Sequence, residues 1–263
     1  MVALRGRHRL GDGTLGATLP AVAEHAKQNG ALSDDRALFA QSELTTLKVA
    51  CADLSWLLGR GYSEHAAIKL VGDRYQLRDR QRLGILRSAC ADQARENRTK
   101  TRRPLKQLVG QALAIDGLNC IITVESALSG GVLLRGRDGA LRDLAKAHGS
   151  CRMIEETFRA ISLLANLLAG SQLESIVWFL DEPVSNSGRI RGELEGLAAA
   201  AMWPWKVELT RDTDKQLKIW NGPIATSDSA ILDKANQWID LPSIVVDRFL
   251  PGAWILDFNE SRV

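Results

Sequence analysis

The sequence predicts an α/β protein: a small all-α N-terminal unit followed by a three-layer α/β/α domain built on a mainly parallel sheet. Three observations carry this. Residues 35–97 are patterned at helical spacing, and residues 105–263 alternate short apolar runs with amphipathic stretches. Three of those runs also end on an aspartate: Ala112–Ile115 into Asp116, Ile176–Leu180 into Asp181, and Pro223–Ser227 into Asp228. Runs this short, bounded by turn residues, read as strands of a covered parallel sheet.

The N-terminal 34 residues are polar, Gly-rich and weakly patterned, and are expected to be poorly ordered. They contain Gly11-Asp12-Gly13-Thr14-Leu15-Gly16, a literal GxGxxG. That motif binds dinucleotides only between a strand and a helix, and Arg5–Leu10 is no strand.

Residues 35–97 form the expected helical, basic domain. Leu47, Cys51, Leu54 and Leu58 share one helical face that ends near Gly59 or Gly61. Ser63 is placed to cap a second helix carrying Ala67, Ile68, Leu70 and Val71. A third helix is expected over 77–92, with Leu83, Leu86 and Cys90 inward and Arg78, Arg80, Arg82 and Arg87 toward solvent. Helix, turn and arginine-rich helix is a pattern that fits nucleic acid, although such arginines are more often a solvated face. Asn97–Pro104 reads as a basic linker, with 98–104 joining the two domains.

Over 105–263, strands are expected near 110–116, 131–135, 175–181, 205–210, 223–227 and 243–247. Helices are expected near 121–129, 152–169, 188–201 and 228–238.

Composition narrows the class. The chain has 263 residues, 45% hydrophobic and 25% charged, as in ordinary globular proteins. No apolar stretch is long enough to span a bilayer and no secretory h-region follows the early arginines, so a cytoplasmic protein with no membrane partner is expected. Cys51, Cys90, Cys120 and Cys151 are widely scattered and read as buried free thiols. Residues 1–104 carry 18 Lys and Arg against 11 Asp and Glu, whereas 105–263 carry 16 against 20. A basic half joined to an acidic half fits a nucleic-acid grip attached to a metal-carboxylate module.

The chemistry centres on the strand ends, where ligands of open α/β sheets bind. Asp116, Asp181 and Asp228 gathered there would make a hard oxygen site for Mg²⁺ or Mn²⁺. After the first strand, Ile115-Asp116-Gly117-Leu118-Asn119 offers Gly117 for a sharp turn and Asn119 as a carboxylate or phosphate partner. Asp181-Glu182-Pro183-Val184-Ser185-Asn186-Ser187-Gly188-Arg189 runs from strand to helix. Ser185, Asn186 or Ser187 would cap that helix, whose free amides would favour an anion, with Arg189 adding positive charge. Thr226-Ser227-Asp228 repeats the strand-to-helix junction, with Asp233 farther along. Secondary candidates are Glu125, one turn into the helix after Asp116 and expected to face the site, Asp138, expected on a tight turn after the second strand, Glu182, Asp214, expected to point inward, and Asp233; each is more often structural, as are His148, Glu155 and Glu156. Neither a GxxxxGK[ST] loop nor a GxSxG elbow occurs, so P-loop NTPase and α/β-hydrolase chemistry are not expected.

Two resemblances follow from these residues. SWLLGRGYSEHAAIKLVGDRYQLRDRQRL within Leu44–Cys90 resembles a helical domain of unknown function of bacteria and archaea. IDGLN, LDEPVSNSGR and TSDSAILD resemble the uncharacterised domain that usually follows it. The second half is also similar to the PIN/NYN nuclease superfamily, in the Asp116-Gly117-Leu118-Asn119 and Thr226-Ser227-Asp228 motifs. That resemblance implies a PIN/NYN-like fold and RNA (less often DNA) cleavage with carboxylate-held Mg²⁺ or Mn²⁺. NYN sequences commonly carry another acid two residues after the turn aspartate, where this chain has Ala230. The expected function is thus a metal-dependent phosphodiesterase, most simply a ribonuclease. The alternatives are a non-catalytic nucleic-acid-binding adaptor and a nucleotide phosphohydrolase using the same carboxylates.

Overall fold

The computed structural model describes residues 29–145 and 153–259; the Gly11–Gly16 motif, His148 and Cys151 lie outside them. Five helices come first: α1 (Asp35–Leu38), α2 (Gln41–Gly59), α3 (Glu64–Arg74), α4 (Asp79–Ser88) and α5 (Asp92–Thr101). A 3-10 turn (Leu105–Gln107) leads into β1 (Ala112–Asp116), α6 (Gly117–Leu128), β2 (Leu133–Arg135), β3 (Leu141–Asp143), α7 (Glu155–Leu168) and β4 (Ser175–Asp181). Then follow α8 (Ser187–Ala201), β5 (Trp205–Thr210), α9 (Thr213–Ile219), β6 (Ile224–Ala225), α10 (Ser229–Leu232), β7 (Trp238–Ile239), α11 (Leu241–Phe249) and β8 (Ile255–Asp257).

The main sheet is entirely parallel, in the order β5-β4-β1-β6-β7. Side chains alternate across it with the period of two that a strand imposes. Leu113, Ile115, Ile176, Trp178 and Leu180 enter the larger core beneath α6, α7, α8 and α11. Ala114, Val177, Phe179 and Ile224 face α9 and α10 on the other side. Both faces are therefore covered, which is why these strands read as continuous apolar runs. Trp178 and Trp238 are fully buried, one in each layer.

A second, three-stranded sheet runs β3-β2-β8, with β2 antiparallel to β3 and parallel to β8. Its Val132, Leu134, Leu144, Leu256 and Phe258 close one core with Leu47, Leu54, Val71 and Ile85 of the helical region. The helices thus share their apolar faces with the C-terminal part of the chain. Ser63 caps α3 as expected, accepting from the Ala66 amide at 3.3 Å.

Several expectations need correction. Residues 243–247, β-branched and expected as a strand, lie in α11, which is started by Pro242 and by an Asp240 carboxylate accepting from the Ser243 amide at 2.9 Å. The helix expected over 228–238 is only the single turn of α10, and the chain then re-enters the sheet as β7. The helix expected over 77–92 ends at Ser88. Residues 98–101, expected in a linker, are the last turn of α5, and Arg98 is buried there.

The α4 arginines are also bound rather than bare. Arg80 forms a bidentate pair with the buried Asp35, Arg82 meets Asp73 at 2.8 Å, and Arg87 donates to the Asp143 and Ala145 carbonyls. Only Arg78 of the four is exposed. Among the described residues, no helix is long and apolar enough to cross a membrane.

Candidate functional site

Reading the five parallel strands in chain order gives the sheet order 3-2-1-4-5, the doubly wound pattern in which the chain reverses direction between its first and fourth strands. That reversal lies between β1 and β6, so a crevice opens beyond their carboxyl ends. Asp116 ends β1, and Thr226, Ser227 and Asp228 follow β6 directly. Asp181 ends β4 on the other side of β1, two residues beyond the Phe179 that pairs with Asp116. The three aspartates thus lie at one edge, on three adjacent strands.

Hydrogen bonds stitch the crevice together. The Thr226 hydroxyl donates to Asp116 Oδ2 at 2.8 Å, and the Ser227 amide and hydroxyl both donate to Asn119 Oδ1 at 3.0 Å. Asn119, its oxygen so occupied, lines a cleft of about 550 Å³. Asp228, Ser229, Ala230, Ile122 and Arg142 line the same cleft, and Leu83, Leu86 and Arg87 of α4 with Glu64 of α3 form the wall that the helical region contributes.

Asp116 is 7% exposed. Burial pushes its carboxyl up, to about 7; the Thr226 hydroxyl opposes this, and the charges of Asp181 and Asp228 add to it. Asp228 has a second duty: its Oδ1 accepts from the Ala230 and Ile231 amides at 2.8 and 3.0 Å and caps α10. Among the described residues, no group of three or more His, Cys, Asp or Glu stands close enough to hold a metal ion. A closed three-aspartate cage is therefore not what these side chains form. What they can offer is the one or two carboxylates through which Mg²⁺ is usually held, its other positions going to water and phosphate.

Gly117 serves close packing here. A Cβ on it would stand 2.5 Å from Leu180 Cδ2 and 3.0 Å from the Phe179 carbonyl oxygen, so only glycine lets the start of α6 approach β4 this closely.

The loop after β4 is structural in part. Ser187 is buried and its hydroxyl donates to the Asp181 carbonyl at 2.7 Å, which removes it from substrate contact. Asn186 adopts a left-handed conformation (φ 67°) at the start of α8, with no side-chain cap bond to the helix. Ser185 and Arg189 are exposed. Glu182 pairs with Arg211 at 3.0 Å at the surface.

The secondary candidates lie elsewhere. Glu125, expected to face the site, accepts instead from Asn29 and Thr157 at 2.8 Å, and burial raises its affinity for a proton. Asp214, expected to point inward, is exposed on α9 and pairs with Lys218 at 3.0 Å. Asp138 does sit on a tight turn after β2, but as the centre of a buried ion cluster. It binds Arg98 at 2.7 Å and Arg142 through both oxygens. Burial would raise its pKa, but the two guanidiniums outweigh that and hold it well below the usual carboxylate range. Asp233 pairs with Arg98 at 2.8 Å.

This cluster is what sequence reasoning missed. Arg142 Nε donates to the Ser227 carbonyl at 2.8 Å and Arg98 Nη2 to the Ser229 carbonyl at 3.2 Å, so the turn carrying Asp228 is held from beneath. Nothing in the local pattern around Arg98 or Arg142 marks them, because their partners are 40 to 135 residues away or lie across a hairpin.

Fold and site together define a doubly wound parallel α/β domain with a carboxylate-bearing crevice walled by an N-terminal helical unit. Residues 105–244 match the family described as Domain of unknown function (DUF5616), and the chain belongs to that family. Residues 46–100 match a second, described as Protein of unknown function (DUF434), so the expected two-domain family is the one found. The chain is similar to the uncharacterized protein MJ0935 of Methanocaldococcus jannaschii, with 28% identity over 191 residues, 73% of this chain and 91% of that protein. No solved structure matches it significantly.

Proposed function

We propose that this protein is a divalent-metal-dependent phosphodiesterase acting on nucleic acid, with RNA the favoured substrate. The observation that carries the reading is the electrostatics of Asp116. A carboxyl at the switch-point crevice that burial pushes up to about 7, with the charges of Asp181 and Asp228 adding to the shift, is a site whose cost a bound cation relieves. The PIN/NYN resemblance supports the same reading, because its two motifs lie on adjacent strands and are hydrogen-bonded to each other through Asp116 and Thr226.

The carboxylates of Asp116, Asp181 and Asp228 are the donors available to Mg²⁺ or Mn²⁺, which would activate water and offset charge on the phosphorane. The chain's own groups do the rest. Thr226 donates to Asp116 and holds its carboxylate, and Asn119, which lines the cleft, would meet a phosphate oxygen there. Ser185, Asn186 and Arg189, on the loop and helix start that follow Asp181, would meet the strand on that side. The buried free thiols of Cys51, Cys90 and Cys120 suit a reducing cytoplasm.

The test is cleavage of labelled single- and double-stranded RNA and DNA with Mn²⁺, beside thermal melting with and without the ion. Expected are cleavage and a Mn²⁺-dependent rise in Tm, both lost in Asp116→Asn. Inert protein whose melting ignores Mn²⁺ would overturn the proposal. The cleft volume also favours a second reading, since about 550 Å³ falls within the range of small-molecule pockets. Turnover of nucleotides with no cleavage of strands would establish that alternative.

A further inference from the structure

Helix α2 has two apolar faces where a helix lying on a core needs one. Leu47, Ala50, Cys51 and Leu54 are buried in the core that the helices share with the second sheet. Val49, Ala52 and Trp56 recur at i, i+3 and i+7 on the opposite side, and all three are exposed, Trp56 by 58%. On α3, Leu70 is 56% exposed. The two helices flank a groove of about 570 Å³, lined by Ala52, Asp53, Trp56 and Leu57 of α2 and by Leu70 and Arg74 of α3. Scattered apolar side chains are ordinary on a surface, but a contiguous set around one groove marks an interaction site.

The charges around this groove are of both signs. Arg74 Nε stands 3.8 Å from Asp53 Oδ2, past hydrogen-bond reach, and both side chains are largely open to water. That same oxygen accepts from the Tyr75 hydroxyl at 2.7 Å, while Asp53 Oδ1 takes no hydrogen bond among the described residues. Arg60 lies over the Trp56 ring, 4.1 Å from its centroid, and Lys69 and Asp73 pair at 2.7 Å beside Leu70 and Arg74. A nucleic-acid backbone would meet the Asp53 carboxylate here, and an anionic membrane would find no run of basic residues. What fits is a helical face that is apolar along its middle and carries both charges. The α2–α3 face is itself such a surface. It sets a large ridge, Trp56, beside a small residue, Ala52, and an acid, Asp53, beside a base, Arg74. Self-complementarity of this kind is what pairing about a twofold axis requires.

We infer that the α2–α3 face binds a second copy of this chain, Trp56 of each copy entering the groove of the other and Asp53 meeting Arg74 across the twofold axis. Tryptophan and arginine at the centre of a packed contact are the side chains that hold protein interfaces together. Cleavage plays no part in this association.

The test is sedimentation velocity of the full chain over a roughly hundredfold range of concentration. Wild type is expected to pass from monomer to dimer. Trp56→Glu and, separately, Leu70→Glu should raise the dissociation constant by about tenfold or more, and both should melt like wild type because the replaced side chains are exposed. Asp53→Arg alone and Arg74→Asp alone should each weaken self-association, since like charges then face one another across the axis. Mixed in equal amounts, these two variants should form a heterodimer tighter than either homodimer, because each arginine now meets an aspartate. Local damage to the helices cannot produce that recovery. Protein that stays monomeric throughout, a dimer indifferent to Trp56→Glu, or a mixture no tighter than its components would each overturn the inference. So would a monomer whose Trp56 face takes up anionic vesicles or RNA in place of a second copy.

Discussion

The hydroxyl of Thr226 reaches across the crevice between two parallel strands and donates to the carboxylate of Asp116 at 2.8 Å, joining residues 110 positions apart. The same hydroxyl oxygen accepts from the Asp228 amide at 3.1 Å, so one side chain aligns both acids of the switch point.

Asp116 should make stability depend on pH. In the unfolded chain its carboxyl titrates near 3.8, whereas in the fold burial, with Asp181 and Asp228 beside it, pushes it to about 7. A raised folded-state value means that this group's contribution is whole below about pH 4 and is lost as pH rises through 7. Asp116→Asn keeps an acceptor for Thr226 and carries no charge. It is expected to match wild type at pH 4 and to exceed it by about 4 kcal/mol at pH 8 in urea unfolding. Equal stability at both pH values would contradict the electrostatic account.

Asp228 serves as cap and as candidate ligand, and two substitutions separate these roles. Asp228→Asn retains a cap for α10, so it should cost little stability yet abolish Mn²⁺-dependent cleavage. Asp228→Ala should lose both, with about 1 kcal/mol of stability. Full activity in Asp228→Asn would show that the residue is only a cap.

Removing the Asp138 charge should be severe. Asp138→Asn leaves the buried Arg142 guanidinium without its paired carboxylate and Arg98 with Asp233 alone, at an expected cost of about 3–5 kcal/mol. Arg142 and Arg98 hold the Ser227 and Ser229 carbonyls, so hydrogen exchange in residues 226–231 should rise more than in β4 or β5. Uniform loss of protection would mean the cluster supports the fold generally and not this turn.

Gly117→Ala forces a methyl against Leu180 and the Phe179 carbonyl. An expected cost of about 1–3 kcal/mol follows from overpacking the β1–α6 junction. Urea titration reads it directly, and a neutral result would show that α6 can withdraw from β4.

Where a segment's own pattern decides its state, the sequence was legible. β1, β4, β5 and β6, and helices α2, α3, α6, α7 and α8, follow from apolar runs, helical spacing and the Ser63 cap. The strands of the main sheet announce themselves because both faces are covered, and a strand ending in Asp at a sheet's carboxyl edge is a local pattern. Residues 243–247 were misread because Ile244, Val245 and Val246 favour strands, while the Asp240 cap and Pro242 that start a helix lie upstream. The last turn of α5, residues 98–101, was taken for a linker because its residues are polar, and its hold on the fold comes through Arg98.

By itself the sequence determined the class of protein, a helical region followed by a layered α/β domain on a mainly parallel sheet, and placed Asp116, Asp181 and Asp228 at strand ends; the doubly wound order came from the structure. Local patterning suffices for that, since hydrophobic period and strand ends are properties of contiguous residues. Only the tertiary structure decided which charges are spent. Arg80, Arg82, Arg87, Arg98, Arg103 and Arg142 are consumed by acids and carbonyls, Glu125 is turned away from the crevice, and Lys100, Lys106 and Lys234 remain exposed. The physical reason is that a buried ion must find a partner wherever the fold supplies one, and most of those partners lie far off in the chain.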